Sequence, residues 1–349
     1  MSFVLGIESS CDESSASVVE FDQHLFKVHS VSTFSQIDLH IPYGGVVPEV
    51  ASRNHLETVN QMIDGAMKVW GGKYSDLDAI AVTNRPGLVG ALLVGVSATK
   101  ALSYCLKKPV VPVHHLEGHA CSIFLDQSDT LNTIKLPLLL VVVSGGHTSM
   151  YIIKTLPEFW EKDFLKHSLI GQSRDDAAGE AFDKTAKLMG FPYPGGVWID
   201  REAKGGNPHA FTLPRALPQK SILDFSFSGL KTAASFVIQD LKKKGTFESS
   251  KKDLAASVQE AIIDALFSKI KIAIHQYDCK GIAIVGGVAA NSALRARLES
   301  LKNIKIYQPL KEYCTDNAAM IAAAGALRFS QGQFLTHHEA LKLNAQASA

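Results

Sequence analysis

Phe3-Val-Leu-Gly-Ile-Glu-Ser-Ser-Cys-Asp-Glu-Ser-Ser-Ala-Ser-Val-Val19 is the stretch whose reading decides the fold. Phe3 to Ile7 is a short apolar strand, Glu8 to Ser15 a polar turn, and Ala16 to Val19 resumes a strand. The turn holds three carboxylates (Glu8, Asp12, Glu13) and the hydroxyls of Ser9, Ser10, Ser14 and Ser15. Hydroxyls and backbone N–H groups in such a turn can grip phosphate oxygens, and carboxylates can hold a cation. Any one hairpin of this kind is more often an ordinary polar turn. However, a second one follows about 135 residues later: Leu138 to Val143, then Ser144-Gly-Gly-His-Thr148, then Ser149 to Ile153. Two such hairpins, each opening an α/β lobe, predict a duplicated fold that holds a nucleotide between its lobes. The Gly145-Gly146 pair would let backbone approach a ligand closely.

Outward from the first hairpin, Tyr43-Gly-Gly-Val-Val-Pro48 punctuates the chain. Glu49 to Trp70 has helical spacing and stops at Gly71-Gly72. Leu77 to Thr83 reads as a strand, Val89 to Leu106 as a buried helix, and Val110 to Val113 as a strand; a loop is expected over 125–135. The strand at 110–113 leads into His114-His-Leu-Glu-Gly-His119. On a helix His115 and His119 lie one turn apart on one face, a spacing at which two imidazoles can share a metal ion. Glu117 sits about 200° round from either histidine and points away. In the zinc-protease signature HExxH, by contrast, the Glu adjoins the first His. Two core or capping histidines are the bland alternative.

In the second half, Gln172 to Lys184 reads as a helix start with Asp176, Glu180 and Asp183 on one face, most simply a solvated face. Tyr193-Pro-Gly-Gly196 is a tight turn, and Asp200 follows on a helix. Asp224-Phe-Ser-Phe-Ser-Gly-Leu-Lys231 suits a short strand, and its spacing gives it no chemical task. The basic runs 242–244 and 251–252 read as solvated linkers, with RNA contact the sharper alternative. A helix is expected over Asp253–Tyr277 and a strand over Gly281–Val285; Gly286-Gly-Val-Ala-Ala-Asn291 then enters a helix at 292–301 with Asn291 as N-cap, a ready anion site. After a last strand at 304–307, Cys314-Thr-Asp-Asn317 precedes the apolar helix 318–329. Asp316 is either that helix's N-cap or the carboxylate completing a His115/His119/Asp316 metal site.

Composition bounds the function. The 349 residues suffice for two lobes, and 46% hydrophobic with 20% charged residues describes a globular chain. Net charge is +1, so a nucleic-acid substrate would not be drawn in by overall charge and would need a local patch or a partner. Five scattered cysteines without a CxxC pair fit a reducing compartment. No signal-peptide pattern or membrane span is read, so the expected location is the cytoplasm.

GIESSCDES, YGGVVPEVASR, PGLVGALLVG, HHLEGH, SGGHT, DDAAGEAFDK, YPGG, DFSFSGLK, GGVAAN and CTDNAAMIA occur together and in this order. Jointly they resemble the TsaD family (also called Gcp), the tRNA adenosine threonylcarbamoyltransferases, over roughly Phe3 to Phe329. The resemblance implies the two-lobed fold of actin, the heat-shock ATPases and sugar kinases (ASKHA). The expected lobes are 1–122 plus 317–349, and 123–316. It also implies transfer of L-threonylcarbamoyl from threonylcarbamoyl-AMP to N6 of adenosine 37 in tRNAs reading codons that begin with A. TsaB and TsaE would be partners, TsaB as a heterodimer docked on the first lobe through the 49–70 helix, with TsaC supplying the adenylate.

Carried over by position, the resemblance makes His115, His119 and Asp316 ligands of one divalent metal, given as iron, with zinc or magnesium as alternatives. It places Val142, Val143, Ser144, Gly145 and Gly146 against the adenylate phosphate and acyl group. Asp183, Gly196 and Asn291 become nucleotide and ribose contacts. Asp200 matches a position that is acidic in only some members. Asp12 and Glu13 become the acidic pair at the reaction centre, candidates to accept the N6 proton. Competing readings are a small-molecule kinase or ATPase of the same fold, a metalloprotease, and a non-catalytic scaffold.

Overall fold

The computed structural model describes residues 1–22, 25–127, 130–161 and 163–348. Residues 128 and 129 of the loop expected over 125–135, and residue 349 at the end of the expected first lobe, lie outside the described residues. In chain order the elements used below are β1 (Ser2–Glu8), β2 (Glu13–Asp22), β3 (Leu25–Ser35), α1 (Pro48–Trp70), β4 (Ala79–Arg85), α2 (Val89–Leu106), β5 (Val110–His114) and α3 (His115–Cys121). Next come β6 (Leu138–Val143), β7 (Thr148–Ile153), β8 (Leu169–Gln172), α4 (Ala178–Leu188), α5 (Gly195–Glu202), α6 (Ser228–Lys243) and α7 (Phe247–Gln276). The chain closes with β9 (Gly281–Val285), α8 (Ser292–Glu299), β10 (Lys305–Tyr307) and α9 (Ala318–Ser330).

The chain divides into two compact units, residues 1–134, 155–167 and 309–349 against residues 135–154 and 168–308. Each has one five-stranded mixed sheet, ordered β3-β2-β1-β4-β5 in the first and β10-β9-β6-β7-β8 in the second. In the first, β1, β2 and β3 form an antiparallel meander, and β4 and β5 add parallel to β1. In the second, β6, β7 and β8 repeat the meander, and β9 and β10 add parallel to β6. The two hairpins therefore do open two copies of one topology. Strands β4 and β6 are buried along their whole length; β6 is an unbroken apolar run, as the centre of a sheet requires, whereas β4 opens with one and ends in the polar Thr83-Asn84-Arg85.

The division falls at other points than the sequence boundaries 122/123 and 316/317. Phe159 stacks edge-on against Phe124 and contacts Phe164, and Asp163 pairs with Arg85, so the segment 155–167 packs into unit 1. The Tyr313 hydroxyl donates to Asp126 (2.7 Å), which brings the run before α9, with Asp316, into unit 1 as well.

Several local expectations change. The first turn shrinks to residues 9–12 because β2 begins at Glu13. Strand β3, whose mixed sequence gave no apolar run, is held by pairing along β2. The helix expected from Gln172 begins only at Ala178, since Ser173 bridges Phe225 and Arg174 N–H donates to the Phe225 carbonyl. Asp176 thus lies outside the helix, although Lys184 still bridges Asp176 (2.6 Å) and Glu180 (2.7 Å). The Phe225 region makes one isolated bridge rather than a strand. The basic runs are helical: 242–243 end α6, and 251–252 lie in α7, which starts at Phe247 rather than Asp253. Helix α2 is, among the described residues, the one long and apolar enough to cross a membrane by length and composition; here it packs against β1, β4 and α1.

Candidate active site

In unit 1 the parallel strands β1, β4 and β5 end side by side, and their last residues supply the site. Glu8 ends β1, Thr83 lies near the end of β4, and His114 ends β5 and opens α3. The His114 side chain accepts from Leu116 N–H (3.2 Å), which caps the short helix and sets His115 and His119 on one face. Helix α9 crosses β1 at Gly6, where any Cβ would collide with the Ala318 carbonyl. That close approach brings Asp316 to the histidines.

His119 Nε2 lies 3.1 Å and His115 Nε2 3.5 Å from Asp316 Oδ1, and one ligand atom from each residue falls within 4.8 Å of the others. Two ligands bound at about 2.1 Å stand about 3.0–3.4 Å apart in octahedral or tetrahedral geometry, so the donor set fits a metal ion. Asp316 is not the cap of α9: Asn317 takes that role, accepting from Met320 N–H (3.0 Å). Both histidines are buried.

Glu8, which the motif reading did not single out, orients the site. Its carboxylate accepts from Ser10 N–H (2.5 Å) and the Thr83 hydroxyl (2.7 Å) and faces His115 Nδ1 at 3.0 Å. A carboxylate there fixes the proton on Nδ1 and turns the Nε2 lone pair toward Asp316. Burial works against the charge on His115, yet Asp316 and Glu8 outweigh it and push its pKa up to about 9. Burial, then Asp12 and Asp316, hold the Glu13 carboxyl well above its ordinary range. Burial and the same acids do likewise to the Cys11 thiol. Glu8, Asp12, Glu13 and Asp316 thus crowd negative charge round two imidazoles. A divalent ion bound there would offset this negative charge. His119 Nδ1 is buried and has no hydrogen-bond partner.

Glu117 is turned from the histidines as its spacing required. Its carboxylate pairs with Arg328 of α9, and both side chains are buried. Burial pushes the Glu117 pKa up to about 7 against the pull of Arg328. A base committed to a guanidinium cannot serve a metal-bound water, which removes the protease arrangement.

In unit 2 the corresponding strand ends are those of β6 and β9. Val142 and Val143 are buried in β6, paired to β7, with Val142 also paired to β9, and contribute backbone only. The Ser144 N–H is committed to the His147 carbonyl (2.8 Å), and the Ser144 hydroxyl accepts from His147 N–H (3.1 Å). This closes the turn and leaves Gly145 and Gly146 exposed, with open space where a side chain would stand. The N-terminus of α4 backs the turn: Gly179 N–H donates to the Ser144 carbonyl (3.2 Å) and Ala178 N–H to the Thr148 hydroxyl (2.8 Å).

The turn after β9 closes on the same loop. Gly286 has φ +94°, and a Cβ there would stand 2.5 Å from the Val143 carbonyl oxygen. Asp183 accepts from Gly195 N–H (2.7 Å), placing the start of α5, with Gly196, beside α4. Asp200 accepts from the Ser292 hydroxyl (2.7 Å). Asn291 caps α8 through Leu294 N–H (3.0 Å) and donates to Gln259 (2.8 Å). The structure therefore gathers Val142–Gly146, Asp183, Gly196, Asp200 and Asn291 round the carboxyl ends of two parallel strands, where open α/β sheets bind ligands.

The family model for TsaD, tRNA N6-adenosine threonylcarbamoyltransferase, matches residues 27–323. A protein of that name from Syntrophobacter fumaroxidans is 47% identical over 340 residues, covering 95% of both chains. One from Listeria monocytogenes serotype 4b is 46% identical over 337 residues, covering 95% of this chain and 92% of the relative. Among solved structures, component A of the Acidaminococcus fermentans (R)-2-hydroxyglutaryl-CoA dehydratase superposes with TM-score 0.55 at 13% identity, covering 98% of this chain and all of that one. Full-length HypF gives TM-score 0.53 at 12% identity, covering all of this chain and 47% of that one. The structural likeness establishes the ASKHA fold, and the sequence likeness establishes that this chain belongs to the tRNA N6-adenosine threonylcarbamoyltransferase family.

Proposed function

We propose that this protein transfers L-threonylcarbamoyl from threonylcarbamoyl-AMP to N6 of adenosine 37 in tRNAs reading codons that begin with A. The observation that carries the reading is the His115/His119/Asp316 set with Glu8 behind it: two imidazoles and one carboxylate, oriented by a buried acid, in a chain of this family. Two His and one carboxylate with open positions suit iron(II); zinc or magnesium are the alternatives. Bound there, the ion would supply Lewis-acid polarisation of the donor's oxygens.

The chain's own residues then have separate tasks. Exocyclic N6 is a weak nucleophile, so positioning and charge stabilisation must do most of the work. N6 bonds to the carbamoyl carbon, the carbon–oxygen bond to phosphate breaks, and AMP leaves with the electron pair. The N6 proton goes to the Asp12/Glu13 pair, the acids that follow the Glu8 turn at the start of β2. Gly145 and Gly146 N–H groups are the donors for phosphate or carbonyl oxygen; the Ser144 N–H, already bonded within its turn, is not. Asp183, Gly196, Asp200 and Asn291 shape the nucleotide seat.

The protein acts in the cytoplasm, with TsaB bound as a heterodimer, TsaE as a further partner and TsaC supplying the donor. Helix α1, with Leu56 and Val69 exposed, and the adjoining α2, with Val89, Leu93 and Tyr104 exposed, offer the apolar docking face for TsaB. The test is transfer of radiolabelled threonine into tRNA by this protein with TsaB, TsaE, TsaC and ATP, beside His119→Ala. Label lost in a folded His119→Ala supports the reading. Label retained would reduce the metal to a structural role, and none with wild type would favour a small-molecule ATPase.

A further inference from the structure

The net charge of +1 conceals a strong asymmetry. Residues 135–154 and 168–308 carry 22 Lys and Arg against 14 Asp and Glu, net +8, whereas the remainder carries 13 against 20, net −7. The basic unit also bears a row of cations and aromatic rings in mutual contact. Arg201 lies 4.9 Å from the Trp198 ring centroid, and Trp198 is nearly parallel to Phe191 at 6.4 Å. Lys251 sits 4.4 Å over Phe191 and 5.8 Å from Phe247, and Lys242 lies 5.1 Å from Phe247. The row joins the surfaces of α5, the turn before it, and the α6–α7 corner. Arg174, Lys184, Arg215, Lys244, Lys280 and Arg297 of this unit are in salt bridges. Among the described residues Arg201, Lys242 and Lys251 are in none, and neither are Lys302 and Lys305. On α5 Trp198 lies about 160° round from both Gly196 and Asp200, and Arg201 about 140° and 100° from them, so the row sits off the side that the donor-seat residues occupy.

We propose that this row is a tRNA-contacting surface: unpaired cations meet backbone phosphates, and the Trp198–Arg201 pair, backed by Phe191, is the platform for an unstacked base or ribose. Unpaired Lys and Arg supply salt-dependent phosphate affinity, and aromatic platforms supply sequence-tolerant stacking, the pairing seen where proteins hold single-stranded nucleic acid. The proposal rests on the tRNA-modification reading for the identity of the nucleic acid. It would be the local patch that a chain of net charge +1 needs for a nucleic-acid substrate.

The test measures binding of an unmodified tRNA that reads an A-initial codon to the full chain, across a salt series. The variant is Arg201→Ala/Lys242→Ala/Lys251→Ala, with Lys280→Ala/Lys302→Ala/Lys305→Ala as a control that removes as many charges elsewhere in the unit. The row variant is expected to raise Kd about tenfold or more near 0.15 M salt. It should also reduce the log–log salt slope by about two to three, near one for each phosphate that a cation no longer neutralises. Trp198→Ala should weaken binding at every salt concentration without changing the slope. Wild-type affinity and slope in the folded row variant would overturn the proposal, as would an equal loss in the control. Unlabelled tRNA in the transfer assay with wild-type protein would overturn the transferase reading alone, because the binding comparison does not depend on transfer.

Discussion

Glu8→Gln isolates what the buried acid does for the metal set. The glutamine is the same size, but one oxygen becomes an NH2 group. That group cannot face Ser10 N–H, which donates to Glu8 Oε1 at 2.5 Å, so it occupies the other position, beside Thr83 and 3.0 Å from His115 Nδ1. His115 must then accept at Nδ1 and carry its proton on Nε2, the atom facing Asp316. The variant loses a charge-assisted hydrogen bond of about 1.5–3 kcal/mol and presents the wrong tautomer to the ion. A partner behind a ligating histidine is commonly worth about 10–100-fold in metal affinity, and the two figures agree. The assay is competition for iron(II) or zinc against a chelator of known affinity, with circular dichroism to verify folding. A folded Glu8→Gln that binds metal within about threefold of wild type would refute the tautomer argument.

Two further perturbations separate structural from chemical roles. Glu117→Ala leaves Arg328 buried without its partner, so unfolding free energy should fall by about 3–5 kcal/mol while metal affinity holds; urea denaturation checks the first and chelator competition the second. A fall in metal affinity without a fall in stability would return Glu117 to the site. Burial raises the Asp264 pKa, but Arg215 (2.9 Å) and Arg297 (2.8 Å) outweigh it and hold the carboxyl below its ordinary value. A depressed folded pKa gives stability that is present above the unfolded pKa of about 3.9 and is lost as pH falls through the folded one. Asp264→Asn should therefore flatten the acid limb of a thermal-stability profile below about pH 4, and an unchanged limb would count against the network.

The sequence alone determined the duplicated hairpins, most helices and the spacing of His115 and His119. These follow from local periodicity and short separations, which the chain carries without reference to distant residues. The outward direction of Glu117 was equally legible, being a matter of 100° per residue. Tertiary structure decided the rest. Strand β3 has no apolar run of its own and exists because β2 offers it a partner edge. Asp316 is 197 residues from His119 and reaches it because small residues let α9 lie close on β1. Glu8 and Thr83 come from different strands that meet only in the sheet, so the group that orients His115 has no sequence pattern. The same holds for charge: a total of +1 hides units of +8 and −7, because electrostatics follows where the chain folds.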